Sequence, residues 1–393
     1  MNSLYLARQP IHNDRFEVIG YQVIHAPAGA RDANPNHEDS RMPDPGLLER
    51  LVGMRSAFIN VDSGQLFNPK LADLPLDRTV LQLPPGLEPD AGVEQRLAQI
   101  EALGARFALD GYKPSDRRSR LVPRASYVKV DIAEQPSVSL PELVGPETGP
   151  ERLVACRVDS HEQFEECRQQ GIRHFQGGFF RRPRWTGSRR LPASSLSVMQ
   201  LLARLQDPQL ELADIEAIVE RDVSLSYRLL RYLNSVHFAL RSPIESIGHA
   251  LSYLGLEHLR VWLSVLLLAR LDHKPVELMK TALVRGRMCQ GLLESEGASS
   301  AGSFLLGLFS TLDALLDQPL EEAVRPLPVS ERLKEALIDR SGQEGGILKL
   351  VLAWEDGNWP QVGSMNLEPE RLLSTYLDAV GWTEDVAGAV LAD

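Results

Sequence analysis

The sequence predicts an α/β domain followed by an all-α domain, and two observations support this division. Over the first 180 residues, short apolar runs alternate with helical segments, a rhythm typical of a parallel sheet or barrel. From Ser194 onward only helical periodicity is found. A chain of 393 residues is long enough for two or three domains, each with a sizeable core.

The first domain begins with a predicted hairpin. Leu4–Arg8 and Phe16–Ile24 have strand composition, and a turn is predicted at Asn13-Asp14. Six further runs are rich in β-branched or aromatic residues, as expected for strands buried on both faces. These runs are Ala57–Val61, Thr79–Leu83, Arg106–Asp110, Tyr127–Ile132, Leu153–Val158 and His174–Gln176. Six runs after a hairpin favour a closed (β/α) barrel over a doubly wound sheet.

The second half is predicted to be entirely helical. A helix begins after Ser246, a good N-cap residue, and stops at Gly255, and another covers 256–271. Further helices are predicted at 275–294, 301–316, 330–340, 344–356 and 367–380. The predicted boundaries are 1–182 for the barrel, 183–195 for an arginine-rich linker and 196–393 for the helical domain.

The charge is unevenly distributed along the chain. Acidic and basic residues balance at 25 each in residues 1–190, so residues 191–393 carry the whole net charge of −11. An acidic second half repels phosphate, which argues against nonspecific nucleic-acid binding through it. The five arginines of residues 181–190 are expected to pair with this acidic half, and DNA association through them is the alternative.

Neither a membrane span nor a disulfide framework is predicted. The longest apolar run, Val261–Ala269, is flanked by arginines and is much shorter than the ~20 residues that cross a bilayer. Cys156, Cys167 and Cys289 form no CxxC motif, which favours free thiols in a reducing compartment. The N-terminus lacks a signal-peptide layout, and a cytoplasmic location is expected.

Motifs in both halves occur in a recognisable order. In the first half they are Ala7–Ile11, Val18–Ile24, Phe58–Val61, Val128–Asp131 and Phe175–Phe179, and in the second half Asp222–Ser235 and Ile247–Gly255. The first set resembles the EAL domain, a family that hydrolyses the bacterial messenger cyclic di-GMP. The second set resembles the HDOD domain, a relative of the HD-GYP hydrolases. The whole chain is similar to two-domain EAL–HDOD signalling proteins, which implies a modified (β/α)8 TIM barrel followed by an all-α HDOD domain.

The resemblance implies an active site of which only part is present. Four functional positions carry replacements for the family's acidic residues: Gln22, Gln82, Gly111 and Cys156. Six positions keep a matching or similar residue: Asn60, Asp110, Lys129, Asp131, Asp159 and Gln176. The arginine that contacts the messenger's phosphate in the family corresponds to Ala26.

Hydrolysis in this family requires Mg²⁺ or Mn²⁺ ions, which polarise the phosphate and activate a water molecule. Two such ions bring more positive charge than Asp110, Asp131 and Asp159 can balance. Glutamine oxygens are weaker ligands, and the thiol of Cys156 is too soft for magnesium. The sequence therefore predicts no metal, no cofactor and no phosphodiesterase activity, with Lys129 paired to Asp110 or Asp131.

Binding of cyclic di-GMP without hydrolysis is a second hypothesis, against which the replacement at Ala26 counts. Four arginines are candidates to restore a phosphate contact: Arg8, Arg117, Arg118 and Arg120. A guanidinium suits this role because it binds phosphate through two parallel hydrogen bonds. The alternative interpretation of the segment Asp116–Arg120 is a solvated loop.

The second half lacks the adjacent histidine and aspartate with which active HD-type hydrolases hold metal ions. Its histidines are His237, His249, His258 and His273, and only Asp272-His273 resembles that dipeptide, in reverse order. His249 lies in the HDOD-like motif, where a hydrogen-bonded structural histidine is expected. No metal catalysis is predicted for this half.

Together these observations predict a cytoplasmic bacterial signalling protein that is not an enzyme. Its domains would bind partner signalling proteins, and the resemblance implies regulation of motility, biofilm formation or second-messenger levels. A receptor for cyclic di-GMP is the first alternative, and an active phosphodiesterase is the less favoured second. Membranes and nucleic acids are not expected partners.

Overall fold

The N-terminal part of the chain forms a closed eight-stranded barrel. Its strands are β1 Leu4–Asn13, β2 Val18–Pro27, β3 Ser56–Asn60, β4 Thr79–Leu83, β5 Arg106–Leu109, β6 Tyr127–Asp131, β7 Leu153–Cys156 and β8 His174–Gln176. Strand β1 runs antiparallel to β2 and β8, and every other neighbouring pair is parallel. The predicted barrel is confirmed, with the N-terminal hairpin built into its wall.

The structure is a computed structural model, and the residues that it describes are 4–27, 43–113, 116–134, 149–184, 193–205, 207, 209–220, 223–234, 244, 246–271, 274–294, 300–365 and 367–390. Two compact units are formed, one by Met1–Arg182 with Ala353–Leu373 and the other by Pro183–Leu352 with Ser374–Asp393. Residues 353–373, which were predicted to belong to the helical domain, thus lie in the barrel unit. Residues 185–192 of the predicted linker lie outside the described residues.

The helices that alternate with the strands begin at side-chain caps. They are Pro45–Val52, Ser63–Leu66, Ala91–Ala102 and His161–Gln169, and their first turns donate backbone N–H groups to Asp44, Asp62, Asp90 and Ser160 respectively. Short 3₁₀ turns cover Pro69–Asp73, Leu76–Arg78, Arg117–Leu121, Pro150–Arg152 and Phe179–Arg181. Gly104 and Gly171 follow two of the helices with φ values of 97° and 88°, in the left-handed region that glycine adopts readily.

A layer of apolar side chains lies in the interior of the barrel. It consists of Ile11, Phe58, Val80, Ala108 and Val154, which come from five different strands and are fully buried. Since side chains alternate along a strand, the residues two positions farther along β3, β4, β5 and β7 also face the interior. The layer therefore forms the floor of a site at the end where the parallel strands finish.

The remainder of the described chain is helical. The helices are Ala193–Leu205, Leu212–Glu220, Val223–Leu233, Ile247–Leu268, Val276–Glu294, Ser300–Phe309, Leu312–Leu316, Leu320–Val324, Glu331–Ile338, Gly342–Glu355, Trp359–Gly363 and Pro369–Val390. Ile247–Leu268 is interrupted at Gly255, whose φ of 73° is non-helical, as the predicted stop required. The Ser246 hydroxyl accepts the His249 N–H at 3.1 Å and caps this helix. None of the helices in the described ranges meets the length and apolarity needed to traverse a bilayer.

A buried histidine couples the stability of the barrel to pH. His12 on β1 is fully buried against Phe179 and Phe180, and neither ring nitrogen has a hydrogen-bond partner among the described residues. Burial lowers the pKa of His12 from 6.5 to about 3. The folded state therefore holds this ring neutral over a pH range in which the unfolded chain binds a proton.

We expect His12 to contribute stability above pH 6.5 that is lost progressively as the pH falls toward 3. Between pH 7.5 and pH 5 the loss is about 2 kcal/mol, because only the unfolded state takes up the proton. Urea unfolding of wild type and His12→Phe across this range measures it, and the stability of the variant should fall less. The exposed His258→Gln serves as control. Parallel pH profiles for wild type and His12→Phe would contradict this assignment.

Candidate functional site at the open end of the barrel

Polar side chains converge where the parallel strands of the barrel end. Asn60, Gln82 and Cys156 each lie two residues beyond a floor residue on their own strand, and Asp110 lies two residues beyond Ala108, directly after β5. Strands β1, β2, β6 and β8 add Gln9, Gln22, Lys129 and Gln176. The eight residues are joined by the contacts described below, and we call them the polar cluster. Seven of them were predicted site positions, and Gln9 was not.

The ammonium group of Lys129 is the centre of the polar cluster. It donates hydrogen bonds to the side-chain oxygens of Gln22, at 2.6 Å, and of Gln82. The Asp110 Oδ1 atom lies 3.4 Å from Lys129 Nζ. Lys129 is only 1% exposed, so its charge depends on these three oxygens for compensation. Of the two aspartates predicted to pair with Lys129, the structure places Asp110 beside its ammonium group.

Amide side chains extend the polar cluster around Lys129. Gln82 Nε2 donates to Asn60 Oδ1 at 2.7 Å. Gln176 Nε2 donates to Gln22 Oε1 at 2.7 Å and to Gln9 Oε1 at 3.1 Å. The Cys156 Sγ atom lies 3.7 Å from Gln176 Oε1, and burial raises the pKa of its thiol to about 12. The Cys156 thiol is therefore protonated at neutral pH.

Two retained aspartates lie outside the polar cluster. The Asp131 carboxylate forms an ion pair with Arg157, and its Oδ1 also accepts the Ala133 N–H at 3.0 Å. The hydrogen bond to Asp131 raises the pKa of Arg157 above its usual value. Asp159 is exposed, and its Oδ1 accepts the Gly178 N–H at 3.1 Å. Arg157 was missed by the sequence analysis, because its partner on β6 is remote in sequence.

The donor set does not fit a divalent metal ion. Asp110 is next to the Lys129 ammonium, Asp131 is paired with Arg157, and the remaining oxygens near Lys129 come from amides. A hard cation requires several carboxylates that no other positive charge already occupies. Within the described residues, no three His, Cys, Asp or Glu side chains are grouped so that they could hold a metal.

Two glycines fix the backbone around the site. Gly177 has a φ of 155°, and a Cβ atom there would lie only 2.0 Å from Val158 O. This close approach holds the end of β8 against the segment after β7, where Val158 N–H also donates to Gln176 O. Gly111 has a φ of 56°, and a Cβ would lie 3.1 Å from Pro85 Cγ. An aspartate at this position would adopt a left-handed backbone conformation against that ring.

Two of the four candidate arginines have structural contacts inside the barrel unit. Arg118 is fully buried and donates to Leu83 O at 2.5 Å, to Asp110 O at 2.9 Å and to the Asp116 carboxylate. It therefore joins the ends of β4 and β5. Arg8 donates to Leu51 O at 2.5 Å and covers the Tyr21 ring at 4.2 Å, on the face of β1 that points away from the polar cluster.

The other two candidate arginines are exposed. Arg117 pairs with Glu88, and Arg120 pairs with Glu94 at 2.9 Å. Both belong to the turn that Arg118 ties to the ends of β4 and β5, so they lie on the same side of the barrel as the polar cluster. Ala26, the position of the family's phosphate-contacting arginine, is buried on β2.

In the helical unit, the described histidines do not form a metal site. His249 lies in the first turn of its helix, where its backbone N–H bonds to Ser246, and His258 is exposed. Asp272, His273 and His237 lie outside the described residues.

Comparison with known proteins supports the predicted organisation. Residues 191–316 match the HDOD domain. The chain is 29% identical to the cyclic di-GMP phosphodiesterase CdgJ of Vibrio cholerae serotype O1, over 98% of this chain and 94% of that protein. It is 25% identical to the uncharacterized protein YuxH of Bacillus subtilis, over 98% of this chain and 99% of that protein.

One similar solved structure is a standalone versatile EAL protein from Vibrio cholerae O395 in its c-di-GMP-bound form. The identity is 17% and the TM-score 0.33, over 45% of this chain and 90% of that one. The closed barrel followed by the HDOD match confirms the predicted two-domain organisation of a barrel and an HDOD domain.

We expect Lys129→Met to destabilise the barrel by about 3 kcal/mol, because it leaves the partly buried Asp110 carboxylate and two buried amide oxygens without their cation. The matched control is Lys113→Met, which removes an exposed ion pair with Glu134 and should cost less than about 0.5 kcal/mol. Urea unfolding of the full chain measures both. Equal effects of the two substitutions would contradict the central role of Lys129.

Proposed function

Because the chain carries an EAL-like barrel followed by an HDOD domain, we propose that it acts in cyclic di-GMP signalling without hydrolysing the messenger. In this proposal both domains bind partner signalling proteins. The similarity to CdgJ over nearly the whole chain supports the pathway, and the HDOD match supports the domain organisation. Because CdgJ is described as a cyclic di-GMP phosphodiesterase, an active phosphodiesterase is the competing hypothesis.

The contacts of Lys129 are the main support for a non-catalytic barrel. Its ammonium already lies against Gln22, Gln82 and Asp110, three positions that the family resemblance assigns to the catalytic site. Metal-assisted hydrolysis needs a cation that both polarises the phosphate and lowers the pKa of a bound water molecule. An ammonium compensates buried oxygens but has no open coordination position for water. These contacts stabilise the barrel in a form without the metal-activated water molecule that hydrolysis requires.

The other carboxylates support the same proposal. Arg157 pairs with Asp131, so a second acid at the open end has its own cation. Binding a metal there would require both ion pairs to be broken and Lys129 to be displaced within the barrel. Each of these steps opposes metal binding, and two Mg²⁺ or Mn²⁺ ions would still find too few carboxylates.

A turnover assay tests the proposal directly. The purified full chain is incubated with cyclic di-GMP and Mn²⁺, and the linear product is quantified by chromatography. We expect no product above that formed by Asp110→Asn, since neither protein holds a catalytic metal. Manganese-dependent product formation by wild type that Asp110→Asn abolishes would establish the active phosphodiesterase instead.

One observation favours the receptor as a second candidate function. Arg117 and Arg120 are exposed on the side of the barrel where the polar cluster lies, and their glutamate partners are themselves partly exposed. Such surface ion pairs contribute little, typically below ~1 kcal/mol, so a phosphate could replace the glutamates at small cost. Both guanidinium groups could then contact the phosphates of a bound dinucleotide.

The receptor hypothesis predicts heat on titrating the full chain with cyclic di-GMP at micromolar concentration. The double substitution Arg117→Ala with Arg120→Ala should abolish this heat. Arg168→Ala, which removes an exposed pair with Glu165 on an outer helix, should leave it unchanged. Absence of heat with wild type, or equal heat with all three proteins, would count against the receptor and in favour of the scaffold.

A further inference from the structure

A short segment from the C-terminal half of the sequence packs within the barrel unit. We call Ala353–Gly363 the strap: it contains the end of one helix, a turn at Gly357 and the helix Trp359–Gly363. Its two indole rings, Trp354 and Trp359, are fully buried. They pack on the Tyr5 ring of β1, one stacked at 5.5 Å and the other edge-on at 5.7 Å.

The strap packs on the interior face of the hairpin. In the register of β1 and β2, Gln9 is opposite Gln22, Ala7 opposite Ile24 and Tyr5 opposite Ala26. Side chains two residues apart share a face, so Tyr5 lies on the face of Gln9 and Ile24 on the face of Gln22. A Cβ built at Gly357 would come within 3.4 Å of Ile24 Cγ2, which brings the strap turn against this same face.

An ionic contact anchors the strap to the neighbouring strand. Arg181, in the turn after β8, pairs with Glu355 and donates to Asp356 Oδ1 at 3.0 Å. Strands β8, β1 and β2 are adjacent in the barrel. The strap is therefore held at the hairpin by aromatic packing and at the end of β8 by charge.

These contacts locate the strap at the open end of the barrel. Strand β2 runs parallel to β3, so Ile24 lies beyond Gln22 toward the end where the parallel strands finish. At about 3.3 Å per residue, the strap contact at Ile24 is only about 7 Å along the strand from Gln22. On the β8, β1 and β2 side, a molecule approaching Gln22 or Gln176 from outside would meet the strap.

We propose that the strap is an autoinhibitory cover that restricts access of a nucleotide-sized ligand to the polar cluster. The strap must separate from Tyr5 and Ile24 before such a ligand can enter on the β8, β1 and β2 side. Both ends of Ala353–Leu373 continue covalently into the second unit, so a change in that unit can act on the strap through the chain. The inference concerns access only and does not depend on whether the barrel hydrolyses its ligand.

The natural cysteines provide a probe for strap opening. Cys156 is in the polar cluster and only partly exposed, whereas Cys167 and Cys289 are buried elsewhere in the protein. Alkylation of the full chain with N-ethylmaleimide at pH 8.5, followed by peptide mass spectrometry, gives a separate rate for each thiol. Opening of the strap accelerates Cys156 alone, and global unfolding accelerates all three.

The opening variant is Arg181→Glu, which replaces the anchor by repulsion from Glu355 and Asp356. We expect the Cys156 rate to rise on the order of tenfold with Cys167 and Cys289 unchanged, because loss of an ionic anchor shifts a local opening equilibrium. Adding Glu355→Arg should return the rate toward wild type. Arg325→Glu, the matched reversal of an exposed pair with Glu321, should have no effect. An unchanged Cys156 rate in Arg181→Glu would overturn the proposal.

A locking variant decides the question if Arg181→Glu unfolds and all three thiols react together. Ile24→Cys with Gly357→Cys places two cysteines where a Cβ at Gly357 lies 3.4 Å from Ile24 Cγ2, and the φ of 67° at Gly357 strains the substitution equally in the oxidised and reduced forms that are compared. We expect the Cys156 rate to be lower in the oxidised form of this variant than in its reduced form. Equal rates in the two forms would overturn the proposal.

Discussion

The organisation of the barrel site depends on one buried positive charge. An ammonium that is removed from water must be surrounded by oxygens, or the protein loses several kcal/mol. Lys129 meets this requirement with Gln22, Gln82 and Asp110, and the amides of Asn60 and Gln176 in turn orient the two glutamines. The side-chain oxygens at these positions therefore contact the Lys129 ammonium group. Lys129 is one of the retained positions, so the departure from the family's pattern lies around it, where the amides of Gln22 and Gln82 contact the ammonium without adding negative charge.

The same principle extends to the rim of the site. Asp131 is paired with Arg157, whose φ of 57° places it in a region that non-glycine residues seldom adopt. A covalently attached cation is present whatever the metal concentration, so the geometry of the open end is maintained without an exchangeable ion. Such a site is consistent with the proposed role of the barrel as a binding surface, because its shape then depends on folding alone.

Much of the barrel could be predicted from the sequence because strands and their order leave local signals. Thr79–Leu83 and His174–Gln176 were predicted with the bounds that the structure has, and parallel strands bring their ends together wherever they close. The helix break at Gly255 was predictable for the same local reason. The partner of Asp131 and the inclusion of Gln9 were not, because they arise from contacts between distant strands. The packing of Ala353–Gly363 in the barrel unit could not be predicted either, because the contacting residues Tyr5 and Trp354 are separated by most of the chain.

The strap joins two interactions of very different strength. Burying the rings of Trp354 and Trp359 contributes about 2–3 kcal/mol each, whereas the partly exposed pairs of Arg181 contribute about 1 kcal/mol or less. Aromatic packing therefore keeps the open state rare, and the ionic anchor adjusts how rare it is. A rare state scarcely changes an equilibrium signal, but an irreversible reaction accumulates every opening event. Access to the polar cluster would thus be controlled by events that loosen the two tryptophans, and the charge at Arg181 would set the threshold.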